Sequence, residues 1–125
     1  IQGSIILVID EGHYESIRFL NALFRKAIVP VKVISAHPVP NSLSQVIVDV
    51  TKPISELSIT ISKLRDDMGY GTLIHHYLPY ILINHDENTV LKYVSYWSAH
   101  VQGKPFLEFF TLPRGSFPSF EKKLQ

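Results

Sequence analysis

The chain has 125 residues, enough for one domain with one modest core. It is 46% hydrophobic and 18% charged, the composition of a globular protein, and its net charge of +1 gives no reason to expect a polyanionic partner. Nucleic-acid binding stays open, because scattered Lys and Arg can still form a local basic face. Absence of cysteine excludes a disulfide scaffold, thiol catalysis and thiolate-held zinc.

No apolar run approaches the ~20 residues of a membrane helix, and Ile1 to Ile9 lacks the basic start and cleavage site of a signal peptide. We therefore expect a cytoplasmic protein. The chain lacks an initial Met and stops at Gln125 in what reads as the opening of a helix, so we expect a trimmed piece of a longer protein.

Ile5 to Ile9 is a continuous apolar run, which suits a strand covered on both faces. A polar turn follows, Asp10 to Glu15. It opens onto a helix with Ile17, Leu20, Leu23, Phe24 and Ala27 on one stripe. Pro30 breaks the chain, and Val31 to Ser35 reads as a second strand. Ala36 to Ser44 is a loop, punctuated by two prolines.

Gln45 to Val50 is apolar and β-branched, hence a third strand. Thr51 offers a capping hydroxyl, and Pro53 fits the first turn of a helix. That helix carries Ile54, Leu57, Ile61, Leu64 and Met68 at helical spacing, and Gly69 ends it. Gly71 to His76 is a short strand. Tyr77 to Ile83 is apolar but contains Pro79, so we expect a strand or a buried turn.

Asn84 to Asn88 is a polar turn with good N-cap residues. The next helix has Val90, Val94, Trp97 and Val101 on one face, and Gly103 closes it. Pro105 to Leu112 is the last strand, Pro113 to Pro118 a loop, and Ser119 a cap for a helix starting at Phe120. Strands alternating with helices predict an α/β three-layer sandwich with a mostly parallel sheet. Ligands in such folds sit beyond the carboxyl ends of the strands. The turns at Asp10–Glu15, Ser35–Asn41, His75–Tyr77 and Thr111–Ser116 should therefore cluster.

The opening GSIILVID…SIRFLNALFRKAIVPVKVIS is similar to that of KaiC/RecA-like ATPase domains. The tail ENTVLKYVSYWSAHVQGKPFLEFFTLPRGSFPSFEKKL resembles the part of that family after the Walker B strand, where a helix leads to a strand with a polar end, a loop and a helix. The resemblance implies a RecA/P-loop-NTPase-like fold. A working P-loop reads G-x-x-x-x-G-K-[ST]. Here the turn is Asp10-Glu11-Gly12-His13-Tyr14-Glu15-Ser16, so Ser16 stands at the hydroxyl position and Glu15 at the lysine position. Three carboxylates at that mouth repel a triphosphate, each pair by ~1 kcal/mol at ~4 Å in water. The Walker B carboxylate is missing too: His75 or His76 ends one candidate strand, and Asn84 the other.

The resemblance then implies a non-catalytic relative, a protein-interaction or regulatory module that forms a homo-oligomer or pairs with a related RecA-like subunit. No cofactor is expected on that reading. The alternative is a phosphate-handling enzyme using ATP or Mg²⁺. It could be an atypical ATPase or a nuclease of the Toprim kind, which the acidic turn with Glu11 and Gly12 loosely resembles. Candidate ligand-binding residues are Glu11, Gly12, His13, Glu15, Ser16, His75 and Arg114.

Asp10, Glu11 and Glu15 also suit a helix N-terminus for purely electrostatic reasons, by ~0.3–1 kcal/mol each. Adjacent strand residues point to opposite faces, so His75 and His76 cannot share one metal without a bend. Tyr93, Tyr96, Phe117 and Phe120 form either an apolar surface patch, a usual mark of an interface, or packing under a C-terminal segment beyond Gln125.

Overall fold

The computed structural model describes residues 4–10, 18, 22, 25, 29–39 and 44–124, with backbone alone for 4–10. Five strands are described: β1 (Ser4–Asp10), β2 (Val31–Ser35), β3 (Gln45–Ile47), β4 (Gly71–His76) and β5 (Phe106–Pro113). The helices described as elements are α1 (Ile54–Met68), α2 (Leu78–Asn84), α3 (Glu87–His100) and α4 (Pro118–Leu124).

The strands form one sheet in the order β1-β5-β4-β2-β3, and every pairing is parallel. Parallel strands joined in sequence need crossovers: α1 carries the chain from β3 over β2 to β4, and α2 and α3 carry it from β4 to the neighbouring β5. The fold is thus α/β around a parallel sheet, as the alternation of elements predicted.

Alternate residues of each strand serve opposite faces. Ile34, Leu73, Phe106, Phe110 and Leu112 join Leu57 and Ile61 of α1, Leu78 and Ile81 of α2, and Val90, Val94 and Trp97 of α3 in one core. Val33, Ile74, Leu107 and Phe109 are also buried but belong to the other face. Both faces of the central strands are therefore covered, as is usual for parallel strands in α/β folds. The helix expected on Ile17, Leu20, Leu23, Phe24 and Ala27 lies outside the described residues; Arg18 and Ala22 within it are helical and exposed.

Gly71 starts β4 under a tight constraint. Its φ is +140°, and a Cβ there would stand 2.5 Å from the Pro30 carbonyl oxygen. That carbonyl accepts the Thr72 amide at 2.9 Å, so the approach is part of the sheet.

Several local expectations need correction. Tyr77–Ile83 is neither strand nor turn: Leu78 to Asn84 forms α2, with Pro79 in its first turn, where a missing N–H is harmless. Strand β3 stops at Ile47 rather than Val50. Thr51 does not cap α1; its hydroxyl bonds Asp49 at 2.6 Å, and Pro53 occupies the N-cap position. Helix α4 begins at Pro118, and Ser119 donates to Glu87 at 3.1 Å instead of capping. The polar turn before α3 behaves as predicted: the Asp86 carboxylate accepts from the Asn88 and Thr89 amides.

Candidate functional site

Three places in the fold hold the chemistry-bearing residues. The first is the rim at the carboxyl ends of the strands. Register places Asp10 beside Pro113 and Ser35 beside His76, so β1, β2, β4 and β5 have their carboxyl ends at the same end of the sheet; residues 11–15 and 40–41 of the turns predicted to cluster there lie outside the described residues. Ser35, His76 and Thr111 lie side by side on β2, β4 and β5. The His76 Nδ1 bonds the Thr111 hydroxyl at 2.6 Å, and Ser35 donates its hydroxyl to the His37 carbonyl at 2.5 Å. Arg114 follows on the exposed turn after β5. Glu11, Gly12, His13, Glu15 and Ser16 lie outside the described residues.

The second place is inside the core, on the α1–α3 face of the sheet. Glu108 is fully buried in the middle of β5. Arg65 of α1 grips it with two bonds, Nε to Oε2 at 2.6 Å and Nη2 to Oε1 at 2.6 Å. His75 Nε2 meets Oε1 at 2.6 Å. From the other ring nitrogen the chain continues: His75 Nδ1 to the Tyr77 hydroxyl at 2.7 Å, then Tyr77 to Tyr93 at 2.6 Å. Phe110 stacks on His75 with ring centroids 4.2 Å apart, and the Arg65 guanidinium lies 4.0 Å over the Trp97 ring.

Burial and bonding settle the charges. Burial alone would raise the Glu108 carboxyl, but the bonds from Arg65 and His75 outweigh it and hold the group at about 2. For His75 burial dominates and lowers the imidazole below its ordinary value, against the pull of Glu108. Burial raises both Tyr77 and Tyr93, so both stay phenols.

These states fix every proton. A neutral His75 facing a carboxylate must carry its hydrogen on Nε2 and donate there. Its Nδ1 then accepts from Tyr77, whose oxygen accepts from Tyr93. The row of donors runs one way, from Tyr93 through Tyr77 and His75 to Glu108. Arg65 Nη1 and Trp97 Nε1 are buried with no hydrogen-bond partner among the described residues, and the cation–π contact is what Arg65 has instead on that side.

His75, a candidate ligand residue by sequence, is thus fully enclosed and engaged at both nitrogens. His76 points to the opposite face, as adjacent strand positions require. Sequence reasoning missed Arg65 and Glu108. Two signals were present: Glu108 interrupts an apolar strand, and Arg65 continues the Leu57, Ile61 stripe. A charge in either setting calls for a buried partner.

The third place is an outer groove between α1 and α3. It has a volume of about 550 Å³ and is lined by Ser55, Ser58, Ile59, Ser62, Lys63 and Asp66 of α1 with Tyr96 and Trp97 of α3. Ile59 and Tyr96 are each 55% exposed. Tyr96 is held in place by its neighbours, stacked on His100 at 5.2 Å and edge-on to Trp97 at 5.0 Å. The aromatic patch considered from sequence does not form as such: Tyr93 and Phe120 are core, and of the four only Tyr96 is fully surface.

Among the described residues no group of three or more His, Asp or Glu side chains is placed to hold a metal ion, and no helix is long and apolar enough to cross a membrane. Compared with family models, curated proteins and solved structures, the chain matches none of them.

Proposed function

We propose that this chain is a non-catalytic α/β domain of RecA/KaiC-like type that serves as a protein-interaction or regulatory module. The observation that carries the proposal is the outer face of α1 and α3. There Ile59 and Tyr96 stand exposed around a groove, a common mark of an interface. The buried charged cluster has the opposite disposition. Arg65, His75 and Glu108 are engaged with one another inside the core.

Two further features support the family side of the proposal. The run helix, strand, turn, helix over α3, β5 and α4 is the order the resemblance implies for the tail. The apolar strand β4 ends in His75 and His76, where catalytic relatives would carry an aspartate, and each histidine is hydrogen-bonded to protein groups.

Thermal unfolding in the presence of ATP–Mg²⁺, or Mg²⁺ alone, tests the absence of phosphate chemistry. A module of this kind melts at the same temperature with and without either ligand. A phosphate-handling enzyme gains RT ln(1+[L]/Kd) of stability, and its melting point climbs with ligand concentration. A climb that disappears in Glu11→Ala would overturn the proposal.

A further inference from the structure

We infer that the outer face of α1 is a two-fold interface between two copies of this chain. The inference rests on the interaction-module proposal and names its partner. Ile59, Lys63 and Asp66 follow one another at spacings of four and three, so they share one stripe of α1. That stripe lies opposite the buried residues Leu57, Ile61 and Arg65. Lys63 and Asp66 both line the groove, and neither has an ion-pair partner among the described residues.

A stripe of one cation and one anion, three positions apart, is complementary to itself when reversed. If two α1 helices meet antiparallel about an axis passing between positions 64 and 65, each Lys63 faces the partner's Asp66. The same axis brings each Ile59 to the far end of the other helix, where Tyr70 is 47% exposed. Ser62 on the adjoining flank falls where the two helices overlap, and its short side chain permits the axial separation of about 8–10 Å of packed helices. Tyr96 of α3, which lines the same groove, adds apolar surface at the interface rim. A symmetric pair of this kind closes on itself and stops at two subunits, because both copies use the same patch.

Charge exchange tests this directly by sedimentation velocity at low and high salt. The wild type should form a dimer that weakens with salt, since its pairs are partly exposed. Lys63→Asp and Asp66→Lys should each weaken the dimer by about tenfold or more, because like charges then meet twice across the axis. Mixing the two single variants should restore association, and so should combining both changes in one chain. Rescue in the double variant, which keeps the wild-type net charge, together with rescue by mixing, is the distinguishing result, because reversed pairing of this stripe with itself requires both. Both residues are at the surface, and circular dichroism of each variant is the check that it is folded.

A wild type that stays monomeric at every concentration overturns the inference. So does a dimer indifferent to both substitutions, or one whose single variants are not rescued by mixing. In those last two cases the interaction-module proposal stands and the interface lies elsewhere. A dimer that behaves as expected but also gains stability from ATP–Mg²⁺ keeps the interface and removes the non-catalytic proposal.

Discussion

At position 108 a carboxylate stands within a strand that otherwise reads Phe, Leu, Phe, Phe, Thr, Leu and Pro. It survives there because Arg65 and His75 supply three bonds to its two oxygens. Such a pair is weak evidence for net stability, since removing two charges from water costs about what their attraction returns. Its asymmetry is large, however. Glu108→Gln leaves the Arg65 charge buried without its counter-charge, and we expect a loss of about 3–5 kcal/mol in urea unfolding. The bonds to the tyrosines follow from His75 alone. Because its imidazole is neutral, Tyr77 and Tyr93 must both donate toward it, and the network has one direction.

The helices owe their limits to local chemistry and their placement to the sheet. Helix α3 begins where Asp86 accepts the amides of Asn88 and Thr89, two of the donors a helix start leaves unpaired. Asp86→Ala should cost about 1 kcal/mol, read as a lower urea midpoint with an unchanged slope. Helix α2 is the opposite case. It has no side-chain cap, and its apolar sequence with an early proline looks like strand as much as helix. What makes it helical is its position: Leu78 and Ile81 are fully buried in the core on one side, while Ile83 is 70% exposed on the other. Seven residues are too few for periodicity to show that.

For the whole molecule, acid weakens the core through two buried groups. The Glu108 pKa of about 2 lies below its ordinary 4.5. A depressed carboxyl adds stability in full above the unfolded value, and that stability is lost as pH falls from about 4.5 toward 2. The His75 pKa is lowered as well, so its contribution is complete above its ordinary 6.5 and declines below it. Both act in one direction. We expect the urea midpoint to be level near neutral pH, to decline below about 6.5 and to decline more steeply below about 4.5. In Glu108→Gln the steeper, more acidic part should be reduced. Protonating His75 would also turn its Nδ1 into a donor and force Tyr77 to donate toward Tyr93 instead, so the phenol pair must reorganise along with the charge.

Most of the scaffold was legible from residue order. The segments Val31–Ser35 and Gly71–His76 announced β2 and β4 with the bounds they have in the fold. The stripe of Leu57, Ile61 and Leu64 announced α1, and the polar turn Asn84–Asn88 announced the start of α3. These signals are local, set by spacing and by backbone capping, and the sequence alone determines them. Tertiary structure decided the rest. Whether Tyr77–Ile83 is strand or helix, which strand lies beside β1, and that Arg65 meets Glu108 across 43 positions of chain all depend on contacts between distant segments. The same holds for the roles of His75 and Tyr96. One histidine is sealed and one tyrosine is exposed because the sheet has a covered face and α3 an open flank, and neither exists until the chain has closed on itself.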